Sequence, residues 1–151
     1  MRELILMAHV LFGVACIVAS VWLFVDVLHA SEMNLPRIRK MSWAVAAAMW
    51  LASVAGGYWY VAHYKVDKAI ILKGPWPFAH EIFMETKEHL VIMLLLLATY
   101  LPIAAAGNLP ASKDARRVML WVTCLTALLA LLMDGEGALI AMGAKMGLMP
   151  K

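Results

Sequence analysis

Four long apolar stretches restrict what this 151-residue sequence can fold into. They cover about residues 4–28, 43–64, 82–106 and 118–142. Each is long enough to cross a hydrocarbon layer of roughly 30 Å, which takes about 20 helical residues. Lipid offers the backbone no hydrogen-bond partners, so such segments are helices or parts of a closed barrel, and none of these alternates as a strand does. The sequence predicts an all-α fold, an integral membrane four-helix up-down bundle, with one transmembrane domain over residues 1–151.

The composition excludes several classes of protein. With 64% hydrophobic and 15% charged residues, the chain lies far outside the range of soluble domains, and its first partner is the lipid bilayer. The net charge of +3 is spread over short connections without a recognition module, so nucleic acid is not an expected partner. The first apolar stretch is about twice as long as the core of a signal peptide, so we expect it to be retained.

The distribution of arginine predicts the topology. Four of the five Arg residues lie in two short connections, about 30–42 and 107–117. The longer middle connection and the start of the third stretch hold four Lys residues, Lys65, Lys68, Lys73 and Lys87, but acidic residues share this region. Because basic residues are enriched in cytoplasmic loops, we expect the two short connections in the cytoplasm and both termini in the periplasm. The expected location is the bacterial inner membrane.

Ionisable residues recur at one predicted depth. Counting about 1.5 Å per residue from the cytoplasmic end of each stretch places His9, His63, His89 and Asp134 at nearly one level, in the outer part of the membrane. Such groups cost several kcal/mol when they face lipid and usually point into the bundle, where they have a function. We therefore expect a polar ring inside the bundle.

The third stretch begins with several acidic residues. Glu81, Glu85 and His89 fall on one helical stripe, which we expect to point inward. Buried acids can pass protons near neutral pH. The candidate proton-transfer residues are Glu85, Glu88, Asp134 and Glu136.

The histidines suit a b-type haem, whose iron takes imidazole ligands from facing helices. The candidate haem ligands are His9 and His89, because the first and third helices of an up-down bundle lie on a diagonal. His63 is the alternate ligand.

With its four predicted spans, and with His9 in the first and His63 in the second, the chain resembles the small four-helix membrane b-type cytochromes of the cytochrome b561 and copper-resistance-D groups. Those families generally place a haem ligand in the fourth span, where this sequence has Asp134 and Glu136 but no His. The resemblance implies electron transfer between quinol and a carrier at the outer membrane face. The implied partners are a quinone and other membrane or periplasmic electron-transfer subunits.

Two other functions fit the same residues. His9, His63, Glu85, His89 and Asp134 form a mixed imidazole and carboxylate set that suits Zn, Fe, Mn or Cu, as in a metal transporter or a membrane metalloenzyme. Alternatively, the chain is a cofactor-free accessory subunit of a respiratory complex, in which the polar residues dock a partner or conduct protons.

Overall fold

A computed structural model describes residues 1–149, and its regular elements are all helical. Helix α1 spans Arg2–Leu28, α2 spans Leu35–Lys73, α3 spans Glu85–Ala105 and α4 spans Lys113–Gly147. A π-helical turn, Ala79–Met84, leads directly into α3. Within the described range there is no strand, so the predicted all-α class is confirmed. Pro150 and Lys151 of the predicted domain lie outside the described residues.

The helices form an up-down bundle. Helix α1 packs against α2 and α4, and α3 packs against the same two helices, so α1 and α3 lie on a diagonal without contact. Two ion pairs show that α1 and α2 are antiparallel, since Arg2 contacts Asp67 at one end and Arg37 contacts Asp26 at the other. We call the end that holds Arg2 and residues 74–78 the terminal end, and the opposite end the loop end.

The outside of the bundle is strongly apolar. Leu11, Ile103 and Trp121, on three different helices, are 65%, 66% and 65% exposed. All four helices, with the π-helical turn counted as part of the third, are long and apolar enough to cross a membrane.

Helices α2 and α4 extend beyond the predicted spans. Helix α2 starts beside Pro36, whose fixed φ suits a first turn, and ends at Lys73, which is followed by Gly74 and Pro75. Its 39 residues measure roughly 58 Å, about twice a hydrocarbon layer. The predicted middle connection is helical over much of its length, because Lys65, Lys68 and Lys73 belong to α2, and residues 74–78 connect α2 to the π-helical turn.

Two separate apolar clusters fill the interior. The main core occupies the loop half and includes Cys16, Met49, Leu94 and Met133, one from each helix. The end cluster lies at the terminal end and is built from Trp59, Tyr64, Ile71, Ala79, Met84 and Ile140. Between these two clusters lies a level at which α1, α3 and α4 carry the ionisable residues His9, Lys87, Asp134 and Glu136.

Candidate functional site

His9 is the contribution of α1 to that level. Its Nδ1 lies 2.8 Å from the backbone oxygen of Ala52 on α2. Since a carbonyl only accepts hydrogen bonds, Nδ1 carries the proton and Nε2 is left available. Gly56 provides the space for the ring, because a Cβ atom there would lie 2.6 Å from Nδ1. The pairing of a histidine on α1 with small residues on α2 therefore fixes the orientation of the imidazole.

Lys87 is the contribution of α3. Its Nζ lies against Gly137 of α4, where a Cβ atom would come within 2.9 Å of it. Lys87 belongs to the buried stripe of α3 that continues through Leu94, Ala98 and Leu101, since it precedes Leu94 by two helical turns. The ammonium group therefore enters the bundle and does not face outward.

Asp134 and Glu136 are the contributions of α4. Both carboxylates interact electrostatically with the ammonium of Lys87, and Asp134 also interacts with His9. Glu136 is only 6% exposed, and its Oε2 atom is buried without a hydrogen-bond partner. We call His9, Lys87, Asp134 and Glu136 the polar layer.

A small cavity lies beside the polar layer. It has a volume of about 30 Å³ and is lined by His9, Gly13, Lys87 and Asp134 together with apolar side chains of the main core. A water molecule needs about 10–15 Å³ of such volume and several polar partners, so the cavity suits about two waters.

The predicted inward stripe of the third helix is wrong. Glu81, Glu85 and His89 are exposed, as is Glu88, whose carboxylate lies beside Tyr60 of α2. The Nδ1 of His89 lies 2.6 Å from the backbone oxygen of Glu85, so this ring is held against its own helix. The buried stripe of α3 includes Lys87. Glu85 and His89 lie two residues before and after it, so their side chains point in a different direction on the helix.

The predicted single level of ionisable groups is also corrected. His9 faces Ala52 and Gly56, whereas His63 lies seven residues beyond Gly56, about 10 Å toward the terminal end. His63 is half-buried, and its ring packs edge-on against Tyr58 at 6.3 Å. The predicted depth was displaced because it was counted from Trp43, although α2 begins at Leu35.

The five predicted metal ligands do not converge. Asp134 lies beside His9 in the polar layer, but Glu85 and His89 are on the outer surface and His63 is farther along α2. Over residues 1–149, no group of three or more His, Cys, Asp or Glu side chains is arranged to hold a metal ion. The pairing of His9 with His89 as haem ligands stays a prediction.

Sequence reasoning missed two features of the interior. No periodicity marks the inward face of α3 that carries Lys87, because residues 90–98 are continuously apolar. His80, only 4% exposed in the π-helical turn, pairs its Nδ1 with the hydroxyl of Tyr64 at 3.0 Å. No local sequence signal identifies that pair, because its residues lie on separate elements.

Comparison with known proteins identifies no relative. No protein-family model matches the chain, and neither the curated proteins nor the solved structures searched contain a match. The resemblance to small membrane b-type cytochromes therefore stays a prediction.

Proposed function

We propose that this chain is an integral membrane protein that transfers protons through the polar layer, as a subunit of a larger electron-transfer assembly. The supporting observation is that His9, Lys87 and Asp134 line a small cavity inside an apolar bundle, and that the buried carboxylate of Glu136 interacts with the same lysine. Ionisable side chains at membrane depth are costly, and they commonly mark proton relays and ion pathways.

The charges of the polar layer favour binding one exchangeable proton. Asp134 and Glu136 together carry one more negative charge than Lys87 neutralises. A net charge in an apolar interior is unfavourable, so an additional proton on one of the carboxylates stabilises the layer. Because Oε2 of Glu136 is buried without a partner, protonation of this carboxyl group removes an unsatisfied charge. The two acids are therefore alternative positions for one proton.

The exposed acids Glu85 and Glu88 connect proton transfer in the polar layer to the surface of the protein. Glu85 and Glu88 lie within one helical turn of Lys87, at the terminal end of α3. Glu85 and Glu88 exchange protons with the outer surface, and Asp134 and Glu136 hold them inside. In an assembly that oxidises quinol, this route accepts the protons that the oxidation releases, while other membrane or periplasmic subunits carry the electrons.

Infrared spectroscopy of the purified protein tests the proposal. At neutral pH we expect a C=O band of a protonated carboxyl group that shifts in D₂O. Glu136→Gln or Asp134→Asn should remove it, because one of these acids holds the proton. Glu85→Gln is the matched control and should leave it unchanged, since Glu85 is exposed. A wild-type spectrum without such a band, or a band that only the control removes, would contradict the proposal.

A bound b-type haem, or a Zn, Fe, Mn or Cu ion, is the second candidate. The observation in its favour is the contact of His9 Nδ1 with the Ala52 carbonyl, which leaves Nε2 free, as in many metal-bound histidines. The test is the absorption spectrum and metal content of the purified protein. Loss of a haem spectrum in both His9→Ala and His89→Ala would support the diagonal pair. Loss in His63→Ala with retention in His89→Ala would favour His63, and a colourless, metal-free protein would reject this candidate.

A further inference from the structure

A groove between α2 and α3 opens on the outer surface near the loop end. Its volume is about 280 Å³. Its lining residues are Trp43, Ala46, Ala47, Trp50, Pro102 and Ile103, with Thr99 at one side. Trp50 donates a hydrogen bond from Nε1 to Thr99 at 3.0 Å, which ties the two walls together. The two small alanines separate the tryptophans, so the groove runs along the helix axis for roughly 10 Å.

The loop end of this α2–α3 groove is basic. Arg39 lies one helical turn before Trp43, and its Nε and Nη2 atoms donate to the backbone oxygens of Ala105 and Ala106 at 3.1 and 3.3 Å. A guanidinium has five N–H donors, so donors remain for another acceptor. Lys40 lies three residues before Trp43 and is exposed. In contrast, Arg37 points to α1, where it pairs with Asp26 at 2.6 Å.

We propose that the α2–α3 groove binds one anionic phospholipid. One acyl chain lies between Trp43 and Trp50, and the phosphate is held by Arg39 and Lys40. Both the lining and the charge favour this class of ligand. The apolar groove suits an acyl chain, and the two basic residues at its loop end suit an anionic head group. Basic sites between membrane helices commonly bind anionic head groups in this way. The inference is independent of the polar layer and of proton transfer.

Native mass spectrometry of the detergent-solubilised protein tests the proposal. The lipid probes are phosphatidylglycerol and phosphatidylcholine with identical acyl chains. We expect phosphatidylglycerol to bind roughly tenfold more tightly, since each basic residue near a membrane surface contributes a favourable interaction with an anionic lipid. Equal binding of the two lipids would overturn the proposal.

Two sets of variants test separately the contact with the lipid head group and the contact with its acyl chain. Lys40→Gln should reduce the preference for phosphatidylglycerol several-fold, whereas Lys113→Gln, an exposed lysine on α4 at the same end, should not. Lys40 is exposed, so its replacement avoids the helix-to-helix contact that Arg39 makes. Equal effects of the two substitutions would overturn the assignment of the head group.

A bulky side chain placed in the α2–α3 groove tests the contact with the acyl chain. Ala47→Phe should reduce binding of both lipids about tenfold, because its ring occupies the groove. Ala44→Phe is the matched control, an exposed alanine on α2 that does not line the groove. Retained binding in Ala47→Phe would overturn the proposal, and so would displacement of the lipid by inorganic phosphate, which would indicate a free-anion site. Circular dichroism confirms that each variant is folded.

Discussion

At the scale of single residues, small side chains decide where the ionisable groups lie. The imidazole of His9 fits against Gly56, and the ammonium of Lys87 fits against Gly137. A methyl group at either glycine would come within 3 Å of a nitrogen atom of the polar layer. The depth of His9 and Lys87 in the interior therefore depends on residues that carry no functional group.

Gly56→Ala is predicted to destabilise the protein relative to Gly57→Ala. The added Cβ would lie 2.6 Å from His9 Nδ1, whereas a Cβ at Gly57 meets nothing within 4 Å. Overpacking typically costs about 1–3 kcal/mol, and both substitutions gain the same helix propensity of about 1 kcal/mol. The difference between their free energies of unfolding, measured by denaturant titration in detergent micelles, should be about 1–3 kcal/mol. Equal stabilities would show that the ring of His9 has room to move.

At the scale of elements, the π-helical turn closes the terminal end of the bundle. It places Ala79 against Gly143 of α4, where an added Cβ would come within 2.6 Å. It also places His80 beside Tyr64 of α2. π-Helical turns are rare and often occur at functional sites. Here the turn contributes to the end cluster, which covers the polar layer at that end.

Tyr64→Phe is predicted to loosen this turn. The substitution leaves the Nδ1 of His80 without its buried partner at 3.0 Å, which costs about 1–3 kcal/mol. Hydrogen exchange of the backbone amides in residues 79–84 should become faster, while exchange in the main core should change less. Tyr58→Phe is the control, because Tyr58 is 57% exposed. If both variants exchange alike, the Tyr64 hydroxyl does not hold the turn.

At the scale of the whole molecule, both connections at the loop end lie beside basic residues. Arg37, Arg39 and Lys40 are in the first turns of α2, and Lys113, Arg116 and Arg117 are in the first turns of α4. The terminal end mixes basic and acidic residues, including the pair of Arg2 with Asp67 at 2.6 Å. This asymmetry favours a cytoplasmic loop end.

The topology can be measured with single cysteines in intact cells. After Cys16 and Cys124 are replaced by Ala, Pro75→Cys should react with an impermeant thiol reagent and Asn108→Cys should be protected. The reason is that residues 74–78 lie at the terminal end, opposite the basic loop end. The reverse labelling pattern would invert the topology, and labelling of both sites would contradict a bundle that crosses the membrane.

The sequence by itself determined the helical class and the presence of four long apolar helices. The length and continuity of an apolar stretch are local properties that the chemistry of lipid translates directly into helices. The interior position of Asp134 could also be predicted, because apolar residues continue after it and α4 runs on to Gly147. Which side of α3 faces inward was predicted from the acids and was wrong.

Only the tertiary structure decided which ionisable groups meet. The helices pair at a register set by contacts between distant residues, such as Asp26 with Arg37 and His9 with Ala52. A depth counted from the ends of the apolar stretches does not give this register. Helix α2 begins eight residues before the predicted span, and His63 therefore lies about two helical turns away from the level of His9. Packing also determined that Lys87 points inward and His89 outward, since most of α3 is apolar on both its inner and its outer face and the sequence alone does not distinguish them.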